Sequence, residues 1–120
     1  MEKKSLPSTQ GKLAEDFAIN LLGKNGYKVI DRNFRSKFGE IDIVAIKDGV
    51  LVFVEVKARW SFKFGKPEEA VTPSKLWKIG RTGEYYSLLH PDLPKNLRID
   101  VVALEIENGK LSTARIISVD

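Results

Sequence analysis

Residues 39–57 read GEIDIVAIKDGVLVFVEVK, two apolar, β-branched runs separated by Asp48-Gly49. Asp-Gly between such runs predicts a two-residue hairpin turn, because both central positions of that turn take positive φ. With these residues as the turn, Ile46 faces Leu51, Val44 faces Phe53, Asp42 faces Glu55 and Glu40 faces Lys57. Alternation along a strand puts these four pairs on one face. Ile41, Ile43, Ala45, Val52, Val54 and Val56 then share the other. Both faces are apolar near the turn, so the strand pair is expected to be covered on both sides. The charged end lies where that cover stops, in a cleft at the rim of the sheet.

Opposed Asp42 and Glu55 have Cβ atoms roughly 5 Å apart, which is destabilising in an ordinary sheet. Two unit charges at about 5 Å repel by roughly 3 kcal/mol at an effective dielectric of 20. Lys57 relieves only part of this, and Glu40 adds to it. A hard divalent cation held by the oxygens of Glu40, Asp42 and Glu55 would cancel the excess, and Mg²⁺ or Mn²⁺ suits such donors. The alternative is a surface ladder in which Glu40 pairs with Lys57 while Asp42 and Glu55 splay into solvent.

Working outward, 120 residues make a single domain, 1–120. The absence of cysteine excludes disulfides, zinc–thiolate sites and thiol nucleophiles. Met1 to Lys12 is polar and basic with no apolar run, so residues 1–8 are expected to be a flexible basic N-terminus and not a signal peptide. No stretch approaches the roughly 20 apolar residues that cross a bilayer. A cytoplasmic protein with no membrane partner is the expectation. The net charge of +4 is a modest hint of a polyanionic partner.

Residues 9–25 carry Leu13, Ala14, Phe17, Ala18, Leu21 and Leu22 at helical spacing, and Gly26 can end the helix. Glu15 sits at the margin of that stripe, where it can reach the sheet rim or simply favour the helix dipole from the surface. Tyr27 to Phe34 reads as an edge strand with Ile30 out of phase, and Arg32, Arg35 and Lys37 lead from it into the hairpin. After the hairpin, Arg59-Trp60-Ser61-Phe62-Lys63-Phe64 interleaves aromatic and basic residues. They can stack on bases and hold phosphates, or anchor the loop on the core. Thr72-Pro73 starts a second helix running to about His90, with Leu76, Ile79, Gly80, Gly83 and Tyr86 on its packed stripe. Lys75, Lys78 and Arg81 fall on the opposite, solvated side. His90 reads as a helix cap. Strands at 97–106 and 111–119 flank Asn108-Gly109, and Asp100 either pairs with Arg98 or sits near the cleft. The order α-β-β-β-α-β-β predicts an α/β fold, a central mixed sheet of about five strands flanked by helices.

Asp42 followed by Glu55-Val56-Lys57 on the adjacent strand, after a helix bearing Glu15, resembles the PD-(D/E)xK nuclease superfamily. More narrowly, the chain resembles the small bacterial proteins of the YraN-like family. Gly11, Ala14-Glu15-Asp16, Gly26-Tyr27, Arg32-Asn33, Gly39-Glu40-Ile41-Asp42, Phe64-Gly65, Glu69-Ala70-Val71-Thr72, Lys75 and Arg98-Ile99-Asp100 carry that likeness. The resemblance implies a restriction-endonuclease-like fold and a Mg²⁺- or Mn²⁺-dependent endonuclease cutting structured or damaged DNA, or RNA. Glu15, Asp42, Glu55 and Lys57 would be catalytic, with Asp42 and Glu55 ligating the metal. Arg32, Arg35, Arg59, Lys63 and Lys75 would contact nucleic acid, DNA before RNA, and a homodimer would suit a junction-acting enzyme. Ile41 stands where the superfamily's name has proline. Two rivals remain open: a nucleic-acid-binding module that cuts little and serves a partner, and an adaptor for an acidic protein.

Overall fold

The computed structural model describes residues 5–60 and 65–119. The elements are α1 (Ser5–Lys24), β1 (Lys28–Ser36), β2 (Gly39–Lys47), β3 (Val50–Arg59), α2 (Pro73–Leu89), β4 (Asn96–Glu107) and β5 (Lys110–Val119), with a 3₁₀ turn at Pro67–Ala70. The five strands form one sheet in sequence order. β3 and β4 are parallel, and the chain crosses between them through α2. The remaining neighbours are antiparallel. This is the mixed, helix-flanked α/β sheet that the element order predicts.

Each helix covers one face. Ala14, Ala18 and Leu22 of α1 pack on Ile43, Ala45, Val52, Val54, Val102, Leu104 and Ile106. Ile79 and Tyr86 of α2 pack on Ile41, Val44, Leu51 and Phe53. α1 begins at Ser5, earlier than the apolar stripe indicates, with Pro7 in a first turn where a missing N–H is tolerated. It ends as expected at Gly26 (φ 85°), with Tyr27 N–H donating to Leu22 O at 3.0 Å. Thr72 caps α2, its side chain accepting from Lys75 N–H at 3.2 Å, and Pro73 follows in the first turn. At the other end His90 is the cap residue, its ring stacked on Tyr86. No described helix is long and apolar enough to cross a membrane.

Both two-residue turns form as read, with positive φ at Asp48 and Gly49 and at Asn108 and Gly109. The hairpin register also holds from Lys47↔Val50 to Ile43↔Val54. Ile30 is out of phase because it is the extra residue of a β-bulge: Val29 pairs with Ala45, and Asp31 with Val44. Asp100 is fully buried and structural. It accepts from Tyr27 Oη at 2.6 Å and from Arg98 Nε at 2.9 Å.

One expectation fails. Strict alternation places Ile41 with Ile43, yet Ile41 packs on the α2 side, and Gly39 lies against Thr82 of α2. β2 therefore changes faces at Asp42. β1 does the same alongside it: Arg32 reaches Glu15 on α1, whereas Phe34 packs edge-on against Tyr86 on α2. Asn33, between them, has φ 54°.

A Cβ at Gly83 would lie 2.5 Å from the buried Phe53 ring, whereas one at Gly80 meets only Ile99 at 3.9 Å. Urea denaturation should find Gly83→Ala destabilised by about 1–3 kcal/mol through overpacking. Gly80→Ala should be neutral or gain up to roughly 1 kcal/mol from helix propensity.

Candidate functional site

The ladder between β2 and β3 stops at Ile43 and Val54. Beyond it the strands part, and Asp42 Oδ2 accepts the Val56 N–H at 2.8 Å. A side-chain carboxylate thus replaces a backbone carbonyl, which satisfies the N–H and places Asp42 between the strands. From there it lines two clefts. One, about 350 Å³ on the α2 side, is formed by Gly39, Glu40, Asp42, Glu55, Val56, Lys57, Lys75, Lys78 and Ile79. The other, about 340 Å³ on the α1 side, joins Asp42 and Lys57 to Glu15, Arg59 and Trp60.

Glu55 is only 4% exposed, so its charge needs partners. It has two: Lys75 Nζ at 2.6 Å and Lys57 Nζ at 3.5 Å. Lys57 comes from its own strand. Lys75 comes from the first turn of α2, contrary to the solvated position that helical spacing gave it, and Lys78 follows it into the cleft wall. Lys78 is exposed, as expected, and only Lys75 was misplaced. A helix wheel shows which residues avoid the core beneath the helix, but not that the helix start overhangs an opening in the sheet.

Burial, then the charge of Glu55, pushes the Asp42 carboxyl up from 3.8 to about 7, with Glu40 adding to the shift and the Val56 N–H opposing it. Burial and the neighbouring Lys75 ammonium lower Lys57 below the usual lysine range. Burial works against a charged Lys75, but its contacts with Glu55 and Lys57 and the charge of Asp42 together outweigh that and hold its pKa high.

The other expected residues divide. Glu40 reaches the α2-side cleft wall, but its carboxylate pairs with Arg35 at 3.1 Å. Among the described residues no three carboxylate or imidazole side chains converge as a metal cage. Glu15 accepts from Arg32 at 3.1 Å and from Asn33 at 3.4 Å on the α1 side. Arg59 lines the same side, and its Nε is buried without a partner among the described residues. Trp60 packs against the α1-side core, the anchoring role, while Phe62, Lys63 and Phe64 lie outside the described residues.

The sequence profile of the uncharacterised protein family UPF0102 matches residues 14–104, which include every one of these groups. The chain belongs to that family. It is 42% identical over 108 residues to a UPF0102 protein of Syntrophomonas wolfei, covering 90% of this chain and 94% of that one. Against UPF0102 proteins of Sulfurihydrogenibium sp. and Thermodesulfovibrio yellowstonii it is 47% and 45% identical, covering 80% and 78% of this chain and 84% and 83% of theirs. These are the YraN-like proteins that the motifs resemble.

A carboxyl whose folded-state pKa is raised holds its proton in the folded protein after the unfolded chain has lost it. Stability therefore falls as pH rises from about 4 to about 7, then levels off. Asp42→Asn keeps an oxygen for the Val56 N–H and removes the titration. In metal-free buffer it should stabilise the protein by roughly 1–3 kcal/mol at pH 8 and by much less at pH 4.5. Chemical denaturation at the two pH values measures this; an Asn variant destabilised equally at both would make the Asp42 charge structural.

Proposed function

We propose that the protein is a metal-dependent endonuclease acting on nucleic acid through the cleft at Asp42. The observation that carries this reading is the pairing of a half-buried Asp42, held in the strand gap, with a buried Glu55 whose partners are Lys57 and Lys75. Mutually repelling carboxylates and desolvated lysines are costly in a small domain, and such perturbation clusters where chemistry is done.

Two hard oxygen donors in an open cleft fit Mg²⁺ or Mn²⁺, which binds through one or two carboxylates, retained waters and substrate phosphate. Asp42 and Glu55 would hold the cation, with Glu40 able to join only by leaving Arg35. When bound, it would polarise a phosphate oxygen and lower the pKa of an attacking water.

The protein's own groups supply the rest. Lys57, fixed beside Glu55 on β3, faces the space where a phosphate would sit and would offset charge developing on its oxygens. Lys75 holds Glu55 while no cation is present and would turn to the phosphate when the carboxylate is taken up. Glu15 fixes Arg32 on the α1 side, and the Nε of Arg59, without a partner among the described residues, offers an anion a donor there. Contacts from Arg32, Arg35, Arg59, Lys63 and Lys75 to phosphates would make binding salt-dependent and largely indifferent to sequence.

The Lys75–Glu55 contact also favours a second reading. Lys75 already neutralises the carboxylate a metal would need, as in a binding module that retains the fold and cuts little. The two separate in one experiment. Labelled junction, flap, single-stranded and duplex substrates are incubated with Mg²⁺ or Mn²⁺, and the melting temperature is followed alongside. The nuclease reading expects cleavage and a metal-induced rise in melting temperature, both lost in Asp42→Asn, with cleavage reduced by roughly 10²-fold or more in Lys57→Ala. Tight binding without cleavage or a thermal shift supports the module. Cleavage that survives Asp42→Asn removes the site from the chemistry.

A further inference from the structure

Beside the carboxylate cleft lies a second opening of about 450 Å³, between the turn that joins β1 to β2 and the outer side of α2. It is lined by Arg35, Ser36, Lys37, Phe38 and Tyr85. We propose that this opening is a stacking platform for unpaired bases of a single-stranded nucleic-acid segment that continues from the phosphate held at Asp42 and Glu55. The inference rests on the nuclease reading for the identity of the ligand, but on different residues for its binding.

Aromatic surface is unusually concentrated here. Phe38 and Tyr85 meet edge-on with ring centroids 5.8 Å apart, and Phe34 lies 6.3 Å behind Tyr85. Tyr85 is 38% exposed, and Trp77, two turns earlier on α2, is 67% exposed. Neither ring is needed by the core, which α2 reaches through Ile79, Gly83 and Tyr86. Single exposed apolar residues need no explanation, but a contiguous group of rings does.

The charges around the rings choose the occupant. The Arg81 guanidinium lies 5.7 Å from the centroids of both Phe38 and Trp77, and Lys37 Nζ lies 5.4 Å from Phe38. Arg35, Lys37, Lys78 and Arg81 surround the platform; Arg35 pairs with Glu40 and Arg81 with Glu84, so Lys37 and Lys78 carry the excess positive charge of this group. An apolar protein partner gains nothing from such a rim, whereas a polyanion with flat apolar bases matches both rings and cations. A duplex interior hides its base faces in the stack, whereas an unpaired segment can present successive bases to Phe38 and Tyr85.

Continuity with the carboxylate cleft sets the path. Gly39 and Lys78 line that cleft, while Phe38 and Tyr85 line the platform. Lys75 to Tyr85 on α2 spans about 15 Å, within reach of a few nucleotides of a single strand. Lys75, Lys78, Arg81 and Tyr85 thus form one track along the helix, which begins at Glu55 and ends on the rings.

The test is fluorescence anisotropy with the full chain in EDTA, so that nothing is cut, using labelled oligo-dT, oligo-rU and a blunt duplex of equal length. Phe38→Leu and Tyr85→Leu retain apolar bulk and remove the stacking face; circular dichroism and melting verify their fold. The platform expects the wild type to bind a single strand more tightly than the duplex, and the paired Leu variant to lose roughly tenfold or more of that affinity while duplex binding is unchanged. Equal binding of single strand by wild type and Leu variant, or no single-strand preference in the wild type, overturns the proposal. Cleavage is scored separately with Asp42→Asn. A stacking loss without Asp42-dependent cleavage sinks the nuclease reading alone; Asp42-dependent cleavage with an indifferent Leu variant sinks the platform alone.

Discussion

The Asp42 carboxylate taking the Val56 N–H is the contact on which the rest of the site depends. A sheet that opens between two central strands leaves backbone donors without partners, and a buried unpaired N–H costs on the order of a hydrogen bond. Here the donor is satisfied by a side chain, so β2 and β3 can part without that penalty. The carboxylate is fixed at the same time. It lies in the gap, reachable from the cleft under α2 and from the cleft under α1. The change of faces in β2 follows, because a strand released from its partner on one side can twist sharply, and the left-handed Asn33 lets β1 turn with it.

Around that contact the fold arranges charge in a graded way. Asp100, deep on the α1 side, is fully paired with Tyr27 and Arg98. Glu55 is almost as buried, but its partners are two lysine ammonium groups on flexible stems at a cleft wall. Asp42 has no cation in the same contact set and is left with a raised pKa. One carboxylate is locked, one is held reversibly and one is only about half ionised near pH 7. The last two line the cleft on the α2 side. Breaking a well-made buried pair such as Arg98–Asp100 costs several kcal/mol, whereas lysine stems can swing aside at the rim for far less.

Much of this was legible in residues 39–57 because turn chemistry and alternation are local. Asp48-Gly49 needs only its own φ values, and from it the register follows as far as Val54. Thr72-Pro73 is equally self-contained. What escaped the sequence is non-local. The inversion at Asp42 depends on a side chain bonding a backbone N–H on another strand, and alternation has no place for that. Ile41 was assigned to the wrong face for this reason, not for lack of apolar character. Lys75 was read as solvated because its contact with Glu55 depends on where the β3–β4 crossover sets α2 over the sheet. Glu40 was read as a third ligand because the facing pairs were extended past the end of the ladder, where Arg35 on the neighbouring strand competes for it.

The lysine pair has a consequence for what such a site can become. A metal-free cluster with both carboxylates ionised would repel itself, and the protein offsets this twice: Asp42 is biased toward its neutral form, and Lys75 sits on Glu55. In the proposed nuclease reading, each device occupies a position that a divalent cation would take over, one by displacing a proton and the other by displacing an ammonium. The folded state is thereby spared the full repulsion without a permanent salt bridge between Asp42 and a rigid arginine. An arginine at position 75 would hold Glu55 bidentately and be harder to displace. A lysine there, a compact point charge on a flexible stem, supports the fold while leaving the carboxylate accessible.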